Sequence, residues 1–257
     1  MPLVRQRKWW KETEVEESLP DLALINARSA VPIEIASGPR CHDEEPKSAG
    51  TEASASSLIR QIPTGGVGEI FLNEAHHLEY GRPWAMGRYV FDFAVSAGLR
   101  PADRLLDFGC GALRLGLWVI PYLDVGNYFG VDAHLDSLEA AATYEIPLHR
   151  LEEKRPRLLW NDDFAVSHFG ATFDWIVDYS SASRIKDGER RLRAFANLAE
   201  VLAPGGHLLT SPRPAISIDA FEGFGLTLTR GRVIQACPLL EGHSFKSTNA
   251  WWEFVRK

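Results

Sequence analysis

A doubly wound α/β fold on a mostly parallel sheet is predicted by three observations. The first is Leu105-Leu-Asp-Phe-Gly-Cys-Gly-Ala-Leu-Arg-Leu-Gly116, an apolar run that ends in Asp107, followed by Gly109 and Gly111 and an apolar helical pattern from about Ala112. The second is the rhythm beyond it, where apolar runs of strand length alternate with helical patterns, as in successive strand–helix units. The third is a helical pattern from about Glu189 to Val201 that runs into Pro204, which cannot continue it. Gly205 and Gly206 then turn the chain into a further apolar run. In such folds a glycine turn at the carboxyl end of a strand holds a nucleotide-type ligand. The glycines let the backbone take conformations that a Cβ obstructs, and the start of the next helix offers unpaired N–H groups.

Residues 1–57 read as an arm and linker. Leu19 to Ile35 has apolar residues without a clean period and is expected to be weakly ordered. Residues 36–57 are rich in Ser, Ala, Gly, Pro and Glu, a composition that buries too little surface to order itself. The globular domain is therefore placed at 58–257. Helices are expected over Glu69 to Tyr80 and Trp84 to Ala97, the second with apolar spacing at Tyr89, Phe91, Phe93 and Ala94. Leu113 to Tyr122 follows the glycine loop as a helix ending near Pro121, and Leu135 to Tyr144 reads as another. Strands are expected at Tyr128–Asp132, Arg157–Trp160 and Phe173–Asp178, the last buried. A helix over Ile216 to Phe221 and strands at Leu226–Thr229 and Trp251–Val255 complete the pattern.

Composition narrows the function classes. The chain has 257 residues, 45% apolar and 24% charged, enough for one α/β domain with a full core. No apolar run approaches the roughly 18 residues of a spanning helix, and the N-terminus carries charges where a signal peptide needs an apolar region. Cys41, Cys110 and Cys237 are too few and too scattered for a disulfide framework or a zinc site. These features point to a reduced, cytoplasmic setting and to no metal. The net charge of −6 argues against a nucleic-acid enzyme, which usually shows a basic face. Basic clusters occur at Arg5, Arg7, Lys8 and Lys11, and at Arg190, Arg191 and Arg193. The second shares its helix with Glu189 and Glu200 and reads as a solvated face.

Spacing distinguishes the ligand. A dinucleotide fingerprint needs Gly-x-Gly-x-x-Gly, whereas Arg114 stands at the third position here. Tyr128-Phe-Gly-Val-Asp132 ends in an acid at about the distance where α/β nucleotide folds place a ribose-binding carboxylate. Such a group accepts charge-assisted bonds from ribose hydroxyls, and capping of the helix that follows is the alternative. Asp-x-Gly-x-Gly after an apolar strand resembles motif I of the class I S-adenosylmethionine-dependent methyltransferases. Asp132, the Asn161-Asp-Asp-Phe164 segment and Leu202-Ala-Pro-Gly-Gly206 fall in the order of that family's further motifs. Together they cover roughly residues 97 to 215.

The resemblance implies a Rossmann-like sheet of seven strands, mostly parallel, with an antiparallel last strand, and S-adenosylmethionine as cofactor. It implies a cofactor site at Asp107, Gly109, Cys110, Gly111, Asp132 and Ala133. Asp162 or Asp163 would face the adenine amino group, with Asp163 preferred, and Phe164 would lie near the ring. Asp178, at the end of a strand, and Arg88, as a fork for the cofactor carboxylate, complete the set.

The implied chemistry is displacement of a methyl group from a sulfonium, which needs alignment and, for a protonated nucleophile, a base. The cofactor carries the difficult step, so no catalytic triad is required. His76, His77, Tyr80, Asp178 and His207 are the candidates on the acceptor side. Asp178-Tyr-Ser-Ser181 lacks the Asn/Asp-Pro-Pro-Tyr pattern of enzymes acting on exocyclic amines. The acidic balance and the short C-terminal part lead to the expectation of a small-molecule acceptor, a sugar or a biosynthetic intermediate. A non-catalytic partner protein of the same fold is the alternative. A nicotinamide oxidoreductase is disfavoured by Arg114 and by the lack of a Tyr-x-x-x-Lys pair.

Overall fold

The computed structural model describes residues 33–35, 86–161, 163–211, 214–236 and 248–257. Helix α1 (Arg88–Ala97) leads into β2 (Leu105–Phe108), α2 (Gly116–Tyr122), β3 (Tyr128–Asp132) and α3 (Leu135–Ala140). The last continues through a wider π turn at Ala141–Glu145. Then come β4 (Arg157–Trp160), β5 (Phe173–Tyr179), α4 (Gly188–Val201), β6 (Leu202–Ser211), α5 (Ile218–Gly223), β7 (Leu226–Ala236) and β8 (Thr248–Arg256). A short β1 (Ile33–Ile35) precedes them all. The expected helix over Glu69 to Tyr80 lies outside the described residues.

The strands form one sheet in the order β1-β4-β3-β2-β5-β6-β8-β7. Strands β1 to β6 pair in parallel, and β8 lies antiparallel between β6 and β7. The doubly wound sheet with an antiparallel last strand is therefore present, and it carries an eighth strand beyond the seven expected. That strand comes from the arm. Three residues are too short to show a period, but they pair with the β4 edge, and Glu34 accepts two hydrogen bonds from Arg157 at 2.7 and 3.0 Å. Of the stretch Leu19 to Ile35, expected to be weakly ordered, residues 33–35 form this strand and the others lie outside the described residues.

Side chains alternate across the central strands. Leu105, Trp175, Val177 and Leu209 join the core on one face, against Tyr89, Val90 and Ile120. Leu106, Ile176 and Leu208 join the core on the other, against Phe195, Leu198 and Phe221. Both faces of the parallel sheet are covered, so its strands read as continuous apolar runs rather than alternating ones. Helix α2 starts at Gly116 and not near Ala112, because Leu113 has a φ of 65° and a helix cannot propagate through a left-handed residue. Pro121 sits inside its last turn.

Leu106→Ala is expected to destabilise by about 2–5 kcal/mol, the range for truncating a fully buried aliphatic side chain. Glu34→Ala removes only a half-exposed ion pair and should cost at most about 1 kcal/mol. Urea denaturation of both variants checks this; equal losses would contradict the packing described.

Candidate functional site

The carboxyl ends of β2 and β3 are fastened to each other. Gly109 and Cys110 donate their backbone N–H groups to the Val131 carbonyl at 2.8 and 3.1 Å. The Asp132 carboxylate accepts from Gly111 N at 2.7 Å with one oxygen and from His134 N at 2.8 Å with the other. Gly109 has a φ of 81°, and a Cβ there would lie 1.8 Å from Ser181 Oγ. Glycine is thus required both by conformation and by the approach of the loop that follows β5.

Beneath the loop, Asp107 is buried and accepts from Tyr128 Oη at 2.9 Å. Loss of solvent raises its pKa to about 7, with Asp132 adding to the rise while Tyr128 and Arg114 oppose it. Asp178 is buried at the end of β5 and accepts from Ser181 N and Ala182 N, each at 3.0 Å, and from Thr210 Oγ1 at 2.9 Å. Burial raises its pKa to about 6 against those bonds. Asp178 therefore builds the turn after its strand.

A cavity of about 570 Å³ opens at these strand ends, within the usual range for a small-ligand site. Five of the anticipated residues line it: Gly109, Cys110, Asp132, Ala133 and Phe164. Phe164 takes a left-handed φ of 56° and packs on Phe108 with ring centroids 4.7 Å apart. Asp107, Gly111 and Asp178 support this lining without forming part of it. Asp163 lies outside the lining, 3.8 Å from Arg190. Asp162, His76, His77 and Tyr80 lie outside the described residues.

Two expectations change. Arg88 is ion-paired with Asp92 at 2.7 Å and sits over the Trp118 ring, so it is not part of the lining. His207 pairs in register with Trp175, stacks on its ring at 4.2 Å and binds Glu253 at 2.7 Å. It stands three residues before Thr210, about 10 Å from the site end of β6. This places His207 within the sheet and outside the cavity lining. The lining gains residues the motifs did not signal: Arg114, His134, Tyr179 and Ser181, with Arg184 and Lys186 at the rim. Arg114 had a visible mark as the departure from a glycine fingerprint, and Tyr179 and Ser181 lay in the strand-end segment Asp178 to Ser181.

Residues 106–208 match a family model described as a methyltransferase domain. That stretch, from β2 into β6, resembles the class I methyltransferases. The methyl donor of that class is S-adenosylmethionine. Among solved structures the chain is similar to magnesium protoporphyrin IX methyltransferase from Synechocystis with bound S-adenosylmethionine, at a TM-score of 0.54 and 16% identity over 80% of this chain and 92% of that one. It is also similar to a TehB-like methyltransferase from Corynebacterium glutamicum, at 0.49 and 19% over 72% and 100%. A third similar structure is the N-methyltransferase NodS from Bradyrhizobium japonicum, at 0.47 and 18% over 66% and 94%. No curated protein matches the sequence.

The lining fits the donor. Each Asp132 oxygen accepts one backbone N–H and keeps a further lone pair. Gly109 brings backbone to the cavity lining, and Phe164 supplies an aromatic ring to it. Among the described residues no group of three metal ligands occurs, and no helix is long and apolar enough to cross a membrane.

The buried acids set a pH dependence. Between about pH 4, the ordinary carboxylate range, and pH 7, folded Asp107 keeps a proton that the unfolded chain has lost. The unfolding free energy of the ligand-free chain should therefore fall as pH rises across that window, with Asp178 contributing up to about 6. Asp107→Asn should flatten the fall, leaving the Asp178 part. An unchanged slope in urea titrations at several pH values would contradict the assignment.

Proposed function

We propose that this domain moves a methyl group from S-adenosylmethionine to a small-molecule acceptor, and that the Asp132 arrangement carries the donor site. A carboxylate fixed by two backbone amides at the end of β3, beside a bare glycine turn, is pre-organised to accept two ribose hydroxyls. Ala133 and Phe164 flank the place for the adenine ring, and Asp163 stands directly before Phe164 as the candidate for its amino group. The bound sulfonium supplies the electrophilic methyl carbon. The chain's part is to hold the nucleophile in line with it.

Arg114 lines the cavity within 5.4 Å of the Tyr179 ring and takes the role first considered for Arg88, pairing with the donor's carboxylate. Tyr179, Ser180 and Ser181, at the end of β5, form the wall where the acceptor enters. Ser180 is held there at a φ of 69°, its N–H bonded to the Ser211 carbonyl at 2.8 Å. Strain of this kind persists where surrounding structure over-determines it, and it clusters at functional sites. His76, His77 and Tyr80 stay the candidates for a base on the N-terminal side. The acidic balance of the chain does not suit a polyanion, which supports a small acceptor over nucleic acid.

Asp132→Ala should weaken S-adenosylhomocysteine binding by about 1–3 kcal/mol, the scale for hydrogen bonds to a charged group. Unchanged affinity in a folded variant would remove the ribose role. Incubation with methyl-labelled donor and a cell extract should place label in the low-mass fraction. Label confined to precipitated protein or nucleic acid would overturn the small-molecule reading.

A further inference from the structure

The cavity lining carries more cations than carboxylates. Its lining includes Arg114, Arg184, Lys186 and Arg190, against the carboxylates of Asp132 and Asp187. Asp132 holds two loop amides, Asp187 caps α4 by accepting from Arg190 N at 2.8 Å, and Asp163 beside the lining pairs with Arg190 at 3.8 Å, so four cations meet three carboxylates. The chain as a whole carries −6, so this excess of cations is local and opposite in sign. The donor does not neutralise it, because its sulfonium and ammonium outweigh its single carboxylate.

The same cations run against the local rules of helix stability. Residues 184–193 hold Arg184, Lys186, Arg190, Arg191 and Arg193 against Asp187 and Glu189. They crowd the start of a 14-residue helix, where the macrodipole is already positive and acids are favoured. A local conflict of this kind is expected at a functional site. Arg191 donates to the Ile185 carbonyl at 3.1 Å and holds the segment in shape. Arg184 and Lys186 stay exposed at the rim, while Arg190 lies half-buried with its guanidinium 6.0 Å from the Phe164 ring centre. Ile185 and Tyr179 give the same wall an apolar component.

We propose that the methyl acceptor is an organic anion, a carboxylate or phosphate on an apolar body, drawn in and oriented by Arg184 and Lys186. This rests on the methyltransferase reading of the cavity. Arg114 is kept for the donor's own carboxylate, so the acceptor's anionic group meets the rim of the 184–190 segment. A cationic wall of this kind raises the local concentration of an anionic ligand and excludes acceptors that bring a positive charge.

The test is calorimetry on the full chain saturated with S-adenosylhomocysteine, using benzoate and phenyl phosphate as probes and benzamide as the neutral isostere. At least one anion should bind saturably while benzamide does not; which of the two binds more tightly distinguishes a carboxylate from a phosphate acceptor. In an Arg184→Gln/Lys186→Gln variant, anion affinity should fall by about tenfold or more, the scale of one lost charge-assisted contact, with S-adenosylhomocysteine affinity unchanged. Both residues are exposed, so the variant should fold. Benzamide binding as tightly as the anions, no saturable anion binding, or unaltered anion affinity in the variant would each overturn the proposal. Failure of S-adenosylhomocysteine itself to bind would instead strike the donor site.

Discussion

The carboxylate of Asp132 is the contact on which the site depends. Its two oxygens tie the glycine loop to the end of β3, so the position of Gly111 and the start of the segment after β3 are fixed by one side chain. The parallel register makes this possible. Asp107 lies opposite Gly130 and Phe108 opposite Val131, which brings the next residue of each strand to the same edge of the sheet. Gly130 has no side chain because Cys110 Sγ and the Leu158 side chain occupy the space a Cβ would need. The loop is thus held from below by packing, from the side by Val131 and Asp132, and from above by Ser181.

Holding a loop this way concentrates unfavourable features at one end of the sheet. Leu113, Phe164 and Ser180 all take left-handed conformations at or beside the cavity, where a Cβ is costly. Asp107 and Asp178 are buried nearby with their pKa values raised by desolvation. The two large aromatic and aliphatic cores on the sheet faces offset these terms. This division of labour is common in α/β enzymes: covered faces stabilise, and the strand ends carry chemistry.

The fold was legible because it is written in local patterns. The glycine turn, the acid at the end of Tyr128–Asp132 and the Pro-Gly-Gly break after Val201 each have a short-range cause, and α4 begins and ends within a residue of its periodic pattern. Gly109, Cys110, Asp132, Ala133 and Phe164 were legible for the same reason, since the backbone that places them is their own. Arg88 and His207 were not. Residue type suggested a role for each, but the role depends on which partner lies across the fold. Asp92 lies one helical turn from Arg88, and Trp175 and Glu253 flank His207 through strand register. β1 was missed because three residues acquire meaning only from the β4 edge. Arg190 was visible in the Arg190, Arg191 and Arg193 cluster, read as a solvated face, but only the return of α4 to the strand ends turns it toward a cavity, and Arg184 and Lys186 carried no mark.

Titration calorimetry of the intact chain with S-adenosylhomocysteine and, separately, with NAD tests the central claim most directly. A pre-organised Asp132 and an Arg114 in place of a third fingerprint glycine predict saturable binding of one S-adenosylhomocysteine per chain and no binding of NAD. Binding of NAD in preference, or of neither ligand, would contradict the account of the donor site.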